Sequence, residues 1–208
     1  MNPLSCRGLY AITDALLIPD DRLIVAVEQA ILGGARLIQY RDKSHDAARQ
    51  LTQATALNAL CQRYAIPLIV NDDVELAVQV GAAGVHIGKD DPVLAIARAR
   101  LGQQAIIGVS CYDRLDLALE AVRAGADYVA FGAFFPSPTK PTEVRASIAL
   151  LRKARAALSV PIVTIGGITP DNAPLLLDVG ADALAVVSGV FGQPDIQAAA
   201  RRYANLFA

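Results

Sequence analysis

The sequence has no tryptophan, one methionine, two histidines and three cysteines, and only 5% of its 208 residues are aromatic. Cys6, Cys61 and Cys111 are odd in number and form no CxxC pair, which excludes a disulfide framework as the organising device. Reduced thiols in a cytoplasmic protein are expected. Two histidines without a third ligand nearby argue against a zinc site. Net charge is close to absent: 19 Lys+Arg stand against 20 Asp+Glu, so the chain carries −1. No clustered positive excess is available for nucleic acid. Long apolar runs are missing too. The longest charge-free stretch, 156–170, is 15 residues with two prolines and two glycines, whereas a membrane-spanning helix needs about 20 apolar residues. At the start of the chain, MNPLSCRGLYAITD reaches Asp14 before any signal-like apolar stretch develops. Neither nucleic acid nor a membrane is expected as a partner.

What the chain does have is Ala, Val, Ile and Leu, within a hydrophobic fraction of 54%. That is too apolar for disorder and suits one domain over residues 1–208, burying about 70% of its unfolded surface. Short apolar runs bounded by turn residues predict strands at 8–13, 35–40, 67–71, 84–87, 105–110, 127–132, 161–165 and 183–187. Each is nearly continuous in apolar residues, as a parallel strand covered on both faces must be. Helical spacing predicts helices at 21–32, 46–64, 74–80, 93–101, 115–124, 146–158, 172–179 and 195–206. Eight of each in alternation, at 26 residues per unit, is the pattern of a (β/α)₈ TIM barrel, fold class α/β.

Glycine turns support this count. Gly33-Gly34, Gly81, Gly125 and Gly180 each precede an even-numbered strand, and Gly34, Gly81, Gly125 and Gly180 are spaced by 47, 44 and 55 residues. A helix that must stop and turn into a strand needs a residue tolerant of positive φ there. The competing architecture, a doubly wound open sheet, lacks its G-x-G-x-x-G turn after the first strand.

In a parallel barrel, chemistry sits at the C-terminal strand ends. The second strand runs into Gln39-Tyr40-Arg41-Asp42-Lys43, where extended alternation places Gln39, Arg41 and Lys43 on one face. An amide and two cations together suit a phosphorylated anion. Asn71-Asp72-Asp73 and Asp90-Asp91 follow the adjacent third and fourth strands. Acids from neighbouring tips suit Mg²⁺, which keeps several waters and bridges substrate phosphates, while one member of each pair is equally suited to capping a helix. Gly166-Gly167 and Ser188-Gly189 lie after strands seven and eight, where barrels commonly bind phosphate on backbone N–H groups. Ser137-Pro138-Thr139-Lys140-Pro141 is a proline-braced loop with two hydroxyls and an ammonium, beside Phe134-Phe135, which is placed to close over a ligand.

Other residues read as structural. His86 lies within an apolar strand and is expected to be a satisfied interior residue, and His45 to be exposed. Cys111 has no base near it in sequence. Arg98, Arg100, Arg152, Lys153 and Arg155 read as solvated helix faces. The mouth thus combines a site for a pyrophosphate with one for a monophosphate and offers no evident nucleophile. Joining two small phosphorylated substrates with departure of pyrophosphate is the reaction class implied.

The segments QYRDK (39–43), LIVND (68–72), GVHIGKDD (84–91), GVS (108–110), FGAFFPSPTKP (131–141), IGGI around Gly166 and VVSG (186–189) together resemble the thiamine-phosphate synthase family, in family order and across nearly the whole chain. The resemblance implies a (β/α)₈ transferase that couples 4-amino-2-methyl-5-hydroxymethylpyrimidine diphosphate to a thiazole phosphate. By position it implies that Gln39, Arg41, Lys43, Asn71, Ser110 and Lys140 contact the pyrimidine diphosphate, with Arg41, Ser110 and Lys140 closest to the chemistry. It implies Asp72 and Asp91 as Mg²⁺ ligands, and Ser137, Thr139, Gly167, Val187 and Ser188 as the thiazole-phosphate site. Lys89 stands where the family often has Gln, and Ser137 where Thr is frequent. A thiazole tautomerase-like paralogue or a non-catalytic binder of thiamine precursors are the alternatives; neither needs the full set of Arg41, Lys43, Asp72, Asp91 and Lys140. A homo-oligomer is compatible with the sequence.

Overall fold

A computed structural model describes residues 7–88, 91–136 and 146–208, and for residues 91–93 it describes the backbone only. Eight parallel strands close on themselves: β1 (Gly8–Ile12), β2 (Ala35–Tyr40), β3 (Leu68–Asn71), β4 (Gly84–Ile87), β5 (Ile106–Tyr112), β6 (Tyr128–Gly132), β7 (Ile162–Ile165) and β8 (Ala183–Val186). Pairing of Gly8–Ala11 with Ala183–Val186 seals the cylinder. Around it lie α1 (Leu23–Leu32), α2 (Ala47–Arg63), α3 (Val74–Val80), α4 (Asp91–Leu101), α5 (Leu115–Arg123), α6 (Ile148–Ala157), α7 (Pro174–Leu177), α8 (Ser188–Phe191) and α9 (Ile196–Ala204). The predicted strands all appear, within a residue or two at their ends.

The apolar residues divide by strand alternation into two layers. Tyr10, Ile12, Leu37, Ile69, Ile106, Tyr128, Val163 and Ala185 fill the barrel interior. Leu9, Ala11, Ile38, Val70, Val85, Ile107, Val129 and Leu184 point outward and pack on the helix faces. Each fully buried Leu or Ile contributes roughly 1.5–3 kcal/mol, so the paucity of large aromatics is made good by many aliphatic contacts.

Helix starts follow local chemistry. Asp46, Asp73, Ser147 and Asp195 each accept a hydrogen bond from the backbone N–H three residues on, as N-caps do. The seventh helix is shorter than the predicted 172–179 because Thr169 and Asn172 bond each other's backbone N–H, and Pro174 then opens the helix. α8 is additional to the eight expected helices; its four residues are too few to leave a periodic signature.

At the N-terminal ends of the strands, the glycine turns behave as predicted: Gly34, Gly81, Gly125 and Gly180 all have positive φ. Two of them belong to a repeated Gly-Ala-Asp unit. Asp127 accepts the Ile107 N–H at 2.8 Å and pairs with Arg98 at 2.6 Å; Asp182 accepts the Ile162 N–H at 2.8 Å and pairs with Arg155 at 2.9 Å. Both arginines also bond backbone carbonyls, Arg98 those of Ala105 and Gly125, Arg155 those of Leu158 and Val160. Arg98 and Arg155 are therefore structural clamps, contrary to the expectation of solvated helix faces. Arg100, Arg152 and Lys153 are exposed as expected. Among the described residues, no helix is long and apolar enough to cross a membrane.

Candidate functional site

At the opposite end of the barrel, strand two delivers Gln39 into the interior, where it is 2% exposed. Its amide Nε2 donates to Tyr10 Oη at 2.7 Å. Tyr10 Oη lies 3.0 Å from Tyr128 Oη, which lies 2.9 Å from His86 Nδ1, and His86 Nε2 lies 2.9 Å from Ser110 Oγ. A chain of hydrogen-bonding groups thus crosses the barrel just beneath its mouth and ends on two predicted site residues, Gln39 and Ser110. Tyr128 reaches across because its neighbour is Gly108: a Cβ there would sit 1.9 Å from the Tyr128 ring. The His86 ring stacks on Tyr128 at 5.6 Å between centroids. Desolvation pushes the His86 pKa down to about 4, against the opposing pull of Asp72, so the imidazole is neutral at physiological pH. His86 is the satisfied interior residue expected from the sequence, and its neighbours make it part of the site's floor.

Arg41 and Lys43 do not share a strand face with Gln39, because β2 ends at Tyr40 and regular alternation ends with it. Arg41 turns toward the first strand, where its Nη1 donates to Asp14 Oδ2 at 3.0 Å and its backbone N–H donates to Thr13 Oγ1 at 2.9 Å. Lys43 is exposed.

The tip of β3 separates its acids. Asp73 Oδ1 accepts the Leu76 N–H at 2.8 Å and caps α3. Asp72 instead adopts φ 63°, a left-handed conformation tolerated by Asp, with its N–H donating to the His86 carbonyl at 2.8 Å. Its carboxylate accepts from Asn71 Nδ2 at 2.7 Å. One acid of this pair is therefore the cap and the other stands at the mouth. The β3–β4 pairing puts Asn71 beside His86, so Asp72 neighbours the strand that leads into α4, which opens at Asp91. The Asp91 side chain, Lys89 and Asp90 lie outside the described residues. No group of three or more His, Cys, Asp or Glu able to hold a metal occurs among the described residues.

Across the mouth, the loops after β6 and β7 are joined, with Phe135 N–H donating to the Gly166 carbonyl at 3.0 Å. Gly167 has φ 62°, and a Cβ there would approach the Pro136 carbonyl oxygen to 2.3 Å. Its own carbonyl accepts from Asn172 Nδ2 at 3.0 Å. Val187 and Ser188 open α8, whose first turn has no side-chain cap. The absent side chain of Gly189 makes room for Tyr203, whose hydroxyl would lie 2.2 Å from a Cβ and which donates to the Ile168 carbonyl at 2.9 Å. Gly189 is thus a packing residue that lets α8 sit close against α9. Phe134 is 8% exposed within the outer core, so it is not poised as a cover, and Phe135 is half-buried against that core. Ser137, Thr139 and Lys140 lie outside the described residues, as does Cys6.

Cys61 and Cys111 are free and buried, and burial pushes each thiol up to about 12, which removes both as nucleophiles at neutral pH. Sequence reasoning passed over Tyr10, Tyr128, Thr13 and Asp14. Two tyrosines in step with inward-facing aliphatics were the available signal for the first pair. For the second, it was a Thr-Asp at the tip of β1, equivalent in position to the other polar strand tips.

The family model described as thiamine monophosphate synthase matches residues 9–190. A protein of Thioalkalivibrio sulfidiphilus described as thiamine-phosphate synthase is 56% identical over 201 residues, covering 97% of this chain and 95% of that protein. One of Nitrosococcus oceani with the same description is 54% identical over 203 residues, covering 98% and 94%. Among solved structures, the thiamine phosphate pyrophosphorylase of Pyrococcus furiosus superposes with a TM-score of 0.86 at 35% identity, covering 97% of this chain and 95% of that one. A 3-hexulose-6-phosphate synthase, with a TM-score of 0.73 at 18% identity, shares the fold.

Proposed function

The chain belongs to the thiamine monophosphate synthase family, and we propose that it joins 4-amino-2-methyl-5-hydroxymethylpyrimidine diphosphate to a thiazole phosphate, forming thiamine phosphate and releasing pyrophosphate. The observation that carries this reading is the pairing of a polar, hydrogen-bonded interior floor with a mouth that holds cations and, among the described residues, no activated nucleophile. With Cys61 and Cys111 held protonated, the described residues suit departure of a leaving group better than formation of a covalent intermediate.

In this reading the diphosphate lies over Arg41, Lys43, Asn71 and Ser110, with Lys140 contributed by the loop after β6. Gln39, buried and fixed by Tyr10, presents its remaining amide capacity to the pyrimidine ring. As the bond to the diphosphate breaks, positive charge grows on the pyrimidine methylene, shared with the ring amino group. The neutral floor adds no repelling cation beneath it, since His86 is uncharged. The thiazole phosphate is held by Ser137, Thr139 and Ser188 and by backbone N–H groups around Gly167 and Val187, which orients the thiazole nitrogen toward the methylene. These glycine and helix-start positions match the phosphate site that barrels build after their seventh and eighth strands.

The Asp72 carboxylate suits Mg²⁺. Asp72 is not consumed as a helix cap, and hard carboxylate oxygens from one or two neighbouring strand tips are the ligands this ion takes while sharing substrate phosphate oxygens. Asp72 and Asp91 would hold it. When bound, Mg²⁺ neutralises charge on the diphosphate and stabilises it as it departs. A cytoplasmic setting fits this reading, since Cys61 and Cys111 are free and buried.

The test incubates the protein with both substrates and follows pyrophosphate release. Release that requires both substrates and Mg²⁺ is expected; its absence with authentic substrates overturns the reading. Asp72→Asn should depress activity steeply and shift the Mg²⁺ dependence to higher concentration, with partial recovery in excess Mg²⁺. An unshifted Mg²⁺ dependence would remove Asp72 from the metal site.

A further inference from the structure

The first strand lies outside every motif that the sequence singles out, yet its tip makes the closest contacts to Arg41. Thr13 is 2% exposed and accepts the Arg41 N–H at 2.9 Å, while its own N–H donates to the Gln39 carbonyl at 2.9 Å. Asp14 is 8% exposed, and its two carboxylate oxygens do different work. Oδ1 accepts the Leu16 N–H at 2.9 Å and shapes the loop, and Oδ2 accepts from Arg41 Nη1 at 3.0 Å. The acid next to Arg41 in sequence is turned elsewhere: Asp42 takes the Ser44 N–H and hydroxyl, each at 2.9 Å.

We propose that Asp14 is a positioning residue that, with Thr13, sets the Arg41 guanidinium at the barrel mouth before the diphosphate binds. This rests on the reading that Arg41 contacts the diphosphate. The physical case is preorganisation. A free arginine side chain surrenders rotamer freedom when it grips a ligand, and one already held surrenders less. A guanidinium carries five N–H donors in a planar fork; Asp14 engages one, and the fork keeps further donors for a phosphate. Holding one edge fixes the direction of the rest.

A simple charge argument predicts the opposite sign, which makes the proposal easy to break. Asp14 is an anion near a site for an anion, so removing its charge should tighten diphosphate binding if electrostatics alone governed. Asp14→Asn separates the two. Its carboxamide oxygen can keep the Leu16 N–H and so the loop, while its NH₂ faces the Arg41 donors and cannot accept from them. Positioning therefore predicts weaker binding despite the loss of a repelling charge.

The experiment is a double-mutant cycle with wild type, Asp14→Asn, Arg41→Ala and the double variant, measuring kcat, KM for each substrate and the melting temperature. Asp14→Asn should raise KM for the pyrimidine diphosphate about tenfold, leave KM for the thiazole phosphate within about twofold, and melt close to wild type. In the Arg41→Ala background, Asp14→Asn should add nothing further. A lowered or unchanged KM in Asp14→Asn, or an equal factor in both backgrounds, overturns the positioning role. Arg41→Ala with wild-type kinetics overturns the diphosphate assignment itself, and the positioning role falls with it. Should Asp14→Asn prove unstable, Asp14→Glu keeps the charge and displaces the acceptor by one methylene. It should raise the same KM, and an unaltered KM overturns the proposal.

Discussion

The two ends of the barrel use the same residue types for opposite purposes. At the N-terminal ends of the strands, the arginines are spent: Arg98 and Arg155 pair with Asp127 and Asp182, which also take a backbone N–H from the neighbouring strand, and use their other donors on backbone carbonyls. At the C-terminal ends, polar groups are held but, among the described residues, not used up. Asp14 engages one corner of Arg41, the Asp72 carboxylate accepts from Asn71, and Ser110 is anchored by His86. The same aspartate–arginine pair thus locks structure at one end and presents a donor fork at the other. What differs is how many hydrogen-bonding positions remain for a ligand, and this contrast leads to separable effects on kinetics and stability.

The largest effect should come from the mouth. Lys140→Ala is expected to lower kcat by about 10²-fold or more if Lys140 stabilises departing charge, with little change in melting temperature. Unaltered turnover would make the loop after β6 a plain turn and weaken the contrast. At the other end, Asp127→Ala should cost about 2–3 kcal/mol in unfolding free energy by stranding Arg98 and the Ile107 N–H, while KM for both substrates stays at wild-type values. Denaturant unfolding beside steady-state kinetics checks this, and altered KM values would show that the two ends are coupled.

The interior floor supplies a pH test. The folded-state pKa of His86 is lowered to about 4, so between pH 6.5 and about 4 the unfolded chain binds a proton that the folded one does not. Stability should therefore be unaffected by this group above pH 6.5 and fall as pH drops from 6.5 to 4, by on the order of 3 kcal/mol. Comparing melts of wild type and His86→Gln across this range checks it; equal slopes would show that His86 is not desolvated. The smallest effect is expected at the backbone-built side of the mouth. Gly167→Ala must hold an L side chain at φ 62° against the Pro136 carbonyl, which should raise KM for the thiazole phosphate about tenfold and leave that for the pyrimidine diphosphate unchanged. Equal changes in both would indicate that the mouth responds as one unit.

Much of the architecture was legible because it depends on local rules. Apolar runs such as 35–40 and 84–87 became strands with those bounds, and the glycine turns took the positive φ that helix termination requires. The extra helix at Ser188–Phe191 was not legible, since four residues carry no periodicity. Within the site, Gln39, Asn71, Asp72, Ser110, Gly167 and Ser188 all lie at strand ends as the sequence order required. The shared face of Gln39, Arg41 and Lys43 was not realised, because alternation has force only while the strand lasts, and β2 stops at Tyr40. Asp73 and Asp72 were interchangeable on paper; the hydrogen bond to Leu76 makes one of them a cap.

By itself, then, the sequence determined the number and order of strands and helices, the end of the barrel where polar residues collect, and the family to which the chain belongs. Each is written in residues close together along the chain or in motifs that recur in order. Only the tertiary structure decided which polar groups meet: Gln39 with Tyr10, Tyr128 with His86, and Arg41 with Asp14. Those partners are separated by 27 to 42 residues. Closing a cylinder sets strand ends side by side irrespective of their distance along the chain, and hydrogen bonds form between groups that are neighbours in space.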